Sequence, residues 1–559
     1  MIMKNRNIYL AILFFLLSFT ACEDGLEKYP LDRPSDVNYL SSKAEMDMAI
    51  TSCYNSLWTG LNYNIPDFVV SDCLTDIAWE RAEAPLQTIG NGSHDSNNGL
   101  ASSLWSKYYT AIGRCNFLIE NISRGKEKVT EGEYNRYIAD AKFLRAYWYH
   151  KLTEFFGDVP FITKPVSSLA ETQVAKTSKA EITSSILKDL DEAANYLPLA
   201  KDIKASEKGR ATKGAALALK TRIALLNGKW AEAAQAATDV TNLASYSLDK
   251  SFDGLFTLAG QAASKEVIFS IQYKYTFCTW GPNGTNTRMG QGYSSKIPNQ
   301  SLVDSYECTD GLSIDKSPLY DPKKPYLNRD SRLNSTIIVP GSVFRGYQFE
   351  TNKDSLTCWN YNTTPATRIA NQDALNAYAS FSGYCWRKYS ENDPVLGPTV
   401  SEVSHIILRY ADVLLMYAEA KIELNQIDQS VYDAINKVRQ RVNMPVIASG
   451  KSQSELRNVV KKERKYELAW EGVRLFDIRR WKLAEKVMVG PLLGRIQKGL
   501  LASAPAIDEV GTPNYDNVPN KSSMRVIETK VFNKNRDYLL PIPRLEVETN
   551  KLLIQNPGY

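Results

Sequence analysis

The sequence predicts a mainly α-helical protein in which paired helices stack into an irregular superhelix, packed with a loop-rich part that contains short strands. Three observations lead there. Long stretches repeat apolar residues at helical spacing. Small residues gather where two helices would approach closely, as in Gly214-Ala215-Ala216 with Ala218, then Ala231, Ala233 and Ala234. Between roughly residues 250 and 400 the helical period gives way to Gly, Asn, Ser, Thr and aromatic residues.

Taken in order, residues 42 to 58 fit a first helix, with Ala44, Met48, Ile50, Tyr54 and Leu57 as its apolar contacts. A second covers Leu104 to Ile122. A third runs from Glu133 to Phe156 and stops at Gly157-Asp158-Val159-Pro160, where the proline disfavours helix in the residue before it. Residues 179–197 and 211–227 continue the series, and Lys229-Trp230-Ala231 opens another helix. The spacing and the small residues fit tetratricopeptide-type hairpins, about four of them, with the 34-residue register not kept. Within the loop-rich stretch, Val267 to Tyr273 reads as a strand. Helical pattern returns at Ile406 to Leu424, Ser430 to Val442 and Ser454 to Gly472, and Asp537 to Ile542 reads as extended.

The chain start carries a different signal. Lys4 and Arg6, an uncharged apolar stretch from Ile8 to Phe19, and Thr20-Ala21-Cys22 resemble a bacterial lipoprotein signal. The stretch is short for a permanent span, which needs about 20 residues. Cleavage before Cys22 would leave that thiol and amine for lipid, and each buried methylene adds about 0.8 kcal/mol of membrane affinity. An ordinary secretory signal in which Cys22 is incidental is the alternative. Residues 23 to 40 are charged, hold two prolines and read as a tether. The expected organisation is therefore residues 1–21 signal peptide, 22–41 lipid-anchored tether and 42–559 one body, divided into a helical part (42–250), a loop-rich part (251–400) and a C-terminal part (401–559).

Charge and cysteines exclude several classes. With 67 basic and 62 acidic residues nothing points to nucleic acid, which needs a concentrated basic face. The cysteines other than Cys22, at 53, 73, 115, 278, 308, 358 and 385, show neither CxxC pairs nor metal-type spacing with the three histidines. They read as small buried residues, and no metal or cofactor is expected.

An ordered set of motifs then resembles the SusD-like (RagB/SusD) outer-membrane lipoproteins of Bacteroidota. It comprises Ala139 to Ala146 (ADAKFLRA), Phe155 to Pro160 (FFGDVP), Leu408 to Ala420 (LRYADVLLMYAEA) and Glu463 to Arg474 (ERKYELAWEGVR), followed by Phe476 to Trp481 (FDIRRW), Leu540 to Pro543 (LPIP) and Gln555 to Tyr559 (QNPGY). The resemblance implies a surface-exposed protein without enzymatic activity, held to the outer membrane by its N-terminal lipid. It would capture a nutrient, commonly an oligosaccharide, as a lid over a SusC-like TonB-dependent transporter, with Glu23-Asp24 matching the family's surface-export signal.

Physical reading of the same motifs is independent of the family. Arg409 and Asp412, with Glu467 and Glu471 between Arg464 and Arg474, sit at spacings suited to charge pairing within and between helices. Arg neighbours would lower the pKa of Glu463, Glu467 and Glu471, whereas a general acid needs it raised, so these are scaffold and no catalytic residue is nominated. Ligand contacts are sought among aromatic residues in loops, whose flat faces suit pyranose rings. Trp79 beside Glu80 and Arg81, Trp280 in a turn-rich segment, Tyr293 after two glycines, and Trp359 and Tyr361 around Asn360 are the candidates. A secreted glycoside hydrolase, needing two carboxylates about 5–9.5 Å apart across a cleft, and a non-binding scaffold are the competing readings.

Overall fold

The computed structural model describes residues 39–58, 60, 64–391, 397 and 399–559, so the expected signal peptide, Cys22 and most of the tether lie outside the described residues. The long helices are, in chain order, α1 (Lys43–Asn55), α2 (Gly99–Asn121), α3 (Glu131–Phe156), α4 (Lys179–Tyr196), α5 (Lys213–Leu226), α6 (Trp230–Asn242), α7 (Tyr410–Glu423), α8 (Gln429–Arg441) and α9 (Gln453–Leu468). Their starts follow from capping chemistry. Ser42, Thr130 and Ser452 each close a capping box with the glutamate three residues on, while Asn98, Ser178, Thr212 and Asp428 accept from backbone N–H groups of the first turn.

Each helix from α2 to α8 packs against the one before it, and α1 lies against α2 and α3. A stack of neighbouring helices results, of the tetratricopeptide-like kind that the small-residue pattern predicts. Gly214 answers a different contact: a Cβ there would clash with the ring of Tyr246, in the segment that follows α6. The pairing of α6 with α7 is the topological surprise, because residues 243–409 separate them in the chain and yet the two helices are neighbours. The loop-rich part is thus an insertion inside the helical stack. Its base is closed by β2 (Val267–Ile271) pairing antiparallel with β8 (His405–Arg409), where His405 faces Ile271.

That pairing corrects one expectation. Ile406 to Arg409 continue the apolar pattern of α7 but form a strand, because β2 offers a paired edge and both faces of the strand are buried. Similarly, Asp537 to Ile542 form a turn and irregular segment rather than a strand.

Short antiparallel pieces build the lobe: β1 (Ala78–Glu80), which comes from the chain between α1 and α2, pairs with β3 (Lys296–Pro298) of the insertion, and within the insertion β4 (Val343–Phe344), β5 (Tyr347–Gln348), β6 (Thr357–Asn360) and β7 (Thr367–Ala370) form a four-stranded sheet in the order β7-β6-β5-β4. Beyond α9, β9 (Gly490–Ile496) pairs with β10 (Met524–Lys530). No helix among the described residues is long and apolar enough to cross a membrane. The seven described cysteines are unpaired thiols, all buried except half-buried Cys278.

Where the helices meet the insertion, the centre is ionic rather than oily. Arg409, at the end of β8, pairs with Glu266 at 2.8 Å, Glu467 at 2.5 Å and Glu471 at 2.7 Å. Arg332 bridges Asp330, Glu463 and Glu467, and Arg439 and Arg441 complete the set on Glu463 and Glu467. Burial alone would raise the Glu467 carboxyl, but Arg441, Arg409 and Arg332 hold it well below the usual carboxylate range. Glu463 is lowered against its burial by Arg332 and Arg439. Asp412, buried between Arg222 and Arg464, is brought down to about 2. The charged motifs are therefore fasteners, although Arg409 and Asp412 pair with other elements rather than with each other, and Gly472 closes this region with φ of +72° and backbone packed on Phe68.

Candidate functional site: aromatic and cationic surfaces of the inserted lobe

Besides Tyr275 and Phe277 in the turn after β2, the lobe presents two grouped sets of rings at its surface. The first starts at β1, whose ribbon with β3 is pinned by Lys296, ion-paired at 2.7 Å to both Glu80 and Glu83. This rigid edge delivers Arg81 to the surface, with its backbone N–H on the Ser295 carbonyl at 2.8 Å. The Arg81 guanidinium donates to the Tyr293 carbonyl at 2.5 Å and lies over the rings of Tyr378 at 5.2 Å and Phe381 at 5.4 Å. Arg288 lies over Tyr293 at 5.3 Å and Tyr378 at 5.9 Å, and those two rings meet edge to face at 6.1 Å. At the other end Arg525, from β10, sits 3.8 Å from the Phe381 centroid. In space the order is Arg525, Phe381, Arg81, Tyr378, Arg288, Tyr293: a ladder of alternating cations and rings.

The loop bearing Arg288 and Tyr293 is built to hold that shape. Tyr293 N–H bonds the Asn283 carbonyl at 2.6 Å, and Ser295 N–H bonds the Gly284 carbonyl at 2.8 Å. Gly292 is required because a Cβ would strike the backbone of Asn286. Buried Asp373 accepts from the backbone N–H groups of Arg288 at 2.6 Å and Met289 at 3.4 Å. Burial outweighs those bonds and pushes the Asp373 carboxyl up to about 7.

The second set stands on the β6–β7 hairpin. Strand alternation buries Cys358 and turns Trp359 outward, opposite Arg368 in the register. Arg368 lies over the indole at 5.2 Å while donating to the Thr357 carbonyl at 2.9 Å, and the Tyr361 ring is tilted 31° to the indole at 6.4 Å. Tyr378 is 55% exposed, Tyr361 48%, Tyr293 40% and Trp359 38%.

Of the aromatic candidates read from sequence, Tyr293, Trp359 and Tyr361 thus reach the surface, and the exposure expected for Trp79 and Trp280 is corrected. Trp79 packs under the ladder against Ile297, Leu492 and Phe381, because strand pairing turns its side chain inward. Trp280 is 2% exposed: its Nε1 donates to the Val403 carbonyl at 2.9 Å and its ring abuts His405 at 4.4 Å. The turn-rich sequence there marks a bridge to Ser401 that closes over the indole. Sequence reasoning missed Tyr378, Phe381, Arg288, Arg368 and Arg525 as members. A local signal existed only for the first two, within the aromatic run Tyr378 to Tyr389.

A separate cleft of about 930 Å³ opens beside α1, lined by Met48, Trp58, Arg210 and Phe277 among others. It contains none of the nominated residues, and its indole edge is engaged, Trp58 Nε1 donating to the Gln272 carbonyl at 2.9 Å. Ring faces arranged in series occur on the ladder instead, so the lobe surface is the stronger site.

The fold and this surface define a helical-repeat protein whose inserted lobe carries a ladder of aromatic rings and guanidiniums. The chain belongs to the SusD family, whose model matches residues 265–559; a second model, described as "Starch-binding associating with outer membrane", matches residues 28–225. SusD-like protein P2 of Formosa agariphila is 28% identical over 585 residues, covering 100% of both chains. Among solved structures, a SusD-like carbohydrate-binding protein of Bacteroides fragilis superposes with a TM-score of 0.81 at 30% identity, over 92% of this chain and 100% of that one. A laminarin-binding SusD-like protein shares the fold, with a TM-score of 0.65 at 20% identity over 93% of this chain and 100% of the other.

Proposed function

We propose that this protein is a non-catalytic surface lipoprotein that binds an oligosaccharide on its inserted lobe and passes it to a SusC-like TonB-dependent transporter in the outer membrane. The observation that carries the reading is the display of Tyr293, Tyr378, Trp359 and Tyr361 on a lobe braced by a rigid ionic core. Exposed ring faces next to polar hydrogen-bonding groups match the two sides of a pyranose. Family membership supports it, as does the carbohydrate binding in the name of the B. fragilis relative. In this reading residues 1–21 are removed, Cys22 carries lipid, residues 22–41 tether the body, and the helical stack faces the transporter.

Glycan-array screening followed by calorimetry, with reducing-end release measured on the same samples, tests it. Binding without turnover is expected, and turnover abolished by a carboxylate substitution would establish the hydrolase reading instead. Replacing Tyr293 and Tyr378 by Ala, or Trp359 and Tyr361 by Ala, is expected to weaken binding at least about tenfold, a loss of roughly 1.4 kcal/mol. Unchanged affinity in both pairs would remove the lobe as the site. Cys22→Ala is expected to release the protein from membranes of cells lacking the transporter, and retention there would contradict the anchor.

A further inference from the structure

We propose that the Arg–aromatic ladder selects an acidic saccharide, one bearing carboxylate or sulfate groups, over a neutral one; the inference rests on the glycan-binding reading and specifies its ligand class. Three guanidiniums, Arg81, Arg288 and Arg525, alternate with the rings of Phe381, Tyr378 and Tyr293 at 3.8–5.9 Å. Two of them, Arg81 and Arg525, approach the same Phe381 ring. A neutral sugar offers hydroxyls, which are met as well by acceptors as by donors. Guanidinium has five donors and no acceptor, and its planar fork matches a carboxylate or sulfate edge with two parallel bonds.

The local electrostatics point the same way. The charged group that acts on Arg525 is Arg81, and the one that acts on half-buried Lys353 is Arg525; after burial, both neighbours lower the pKa, which is the sign of like charges held together. Several carboxylates of the lobe and the adjoining ribbon have partners of their own, and buried Asp373 also acts on the charge of Arg288. Glu80 and Glu83 hold Lys296, Glu350 holds Arg495 at 3.1 Å, Asp354 holds Lys498 at 2.8 Å, and Asp373 faces backbone N–H groups. Among the described residues no carboxylate is ion-paired with Arg525 or Lys353. Clustering cations costs energy that a bound anion would recover.

The two halves of that surface come from remote places in the chain, Arg81 from the residue after β1 and Arg525 from β10. Holding them around one ring requires the β9–β10 ribbon to pack on the lobe. It does so through Leu492, which meets Trp79 and Ile297 under the ladder.

The test uses the full chain purified in detergent, titrated with size-matched oligogalacturonides, sulfated galactan oligosaccharides, and neutral glucan and galactan oligosaccharides. An acidic member is expected to bind at least about tenfold more tightly than any neutral one, with affinity falling as NaCl rises from about 50 to about 500 mM. Whether the carboxylated or the sulfated arm prevails identifies the anion. Arg525→Gln and Lys353→Gln, both at partly exposed positions, are expected to cost the acidic ligand about tenfold and about threefold, each a larger factor than the same variant costs a neutral ligand of the same length. A neutral ligand that binds as tightly as the acidic ones, or salt-independent binding unaffected by Arg525→Gln, would overturn this inference while the glycan reading stood. Absence of binding by every member would overturn the glycan reading and this inference with it.

Discussion

Arginine plays opposite parts in two regions of this protein. In the core, Arg409 contacts the carboxylates of Glu266, Glu467 and Glu471, and Arg332 those of Asp330, Glu463 and Glu467, all of them buried. On the lobe, Arg525 meets a phenylalanine ring, and Arg288 lies over two tyrosines. A buried guanidinium must be neutralised, because desolvating an unpaired charge costs several kcal/mol, roughly as much as a small domain's whole stability. A half-exposed one keeps part of its hydration and tolerates a ring as its main neighbour. The difference teaches which arginines fasten the fold and which present chemistry to the outside, a distinction that residue type alone does not make.

Breaking the core side of the comparison has the largest expected effect. Glu467→Ala removes the one carboxylate that Arg332, Arg409 and Arg441 share, leaving each with fewer counter-charges, and is expected to cost about 3–5 kcal/mol, read from urea unfolding; a change below about 1 kcal/mol would mean the network is dispensable. Trp280→Phe comes next. It leaves the Val403 carbonyl without the indole donor, for an expected loss of about 1–3 kcal/mol, and ligand affinity is expected to be unchanged because the ring is internal.

Acid separates the regions further. The Asp412 pKa is depressed in the folded protein to about 2 by Arg222 and Arg464 acting against burial, so its contribution is present above the unfolded value near 3.8 and is lost as pH falls toward 2. Melting temperature is expected to drop steeply across that window. Asp412→Asn, already less stable at neutral pH, is expected to lose less over it, and parallel curves would refute the assignment. The smallest stability effect belongs to the lobe: Tyr378→Ala is expected to change unfolding free energy by no more than about 0.5 kcal/mol while weakening the ligand. A large loss of stability would make that ring a structural one.

Several parts of this picture were legible before any coordinates. The third helix was expected at Glu133 to Phe156 and is found at Glu131–Phe156, since a capping box and a Gly-Pro-containing stop are local signals. Glu463, Glu467 and Glu471 read as scaffold and are buried ion-pair partners, but the arginines that neutralise them are Arg332, Arg409, Arg439 and Arg441, whereas the sequence neighbours Arg464 and Arg474 pair with Asp412, Asp477 and Asp76. Local signals misled where burial is decided from afar. Ile406 to Arg409 continue a helical pattern but pair with β2, 134 residues or more earlier in the chain, and Trp280 sits in turn-forming sequence yet is covered by Ser401 to His405.

What the sequence by itself determined is the helical stack, its caps, its charged fasteners and a lobe rich in aromatic residues, because each depends on neighbours within a few turns of the chain or on motifs a few residues long. Tertiary structure alone decided that this lobe is an insertion between adjacent helices α6 and α7, that Trp79 and Trp280 point inward, and that Arg81, Arg288, Tyr378, Phe381 and Arg525 meet on one surface. The physical reason is distance along the chain: Trp79 of β1 packs with Leu492 of β9, more than 400 residues on, and no periodicity or turn signal reaches that far.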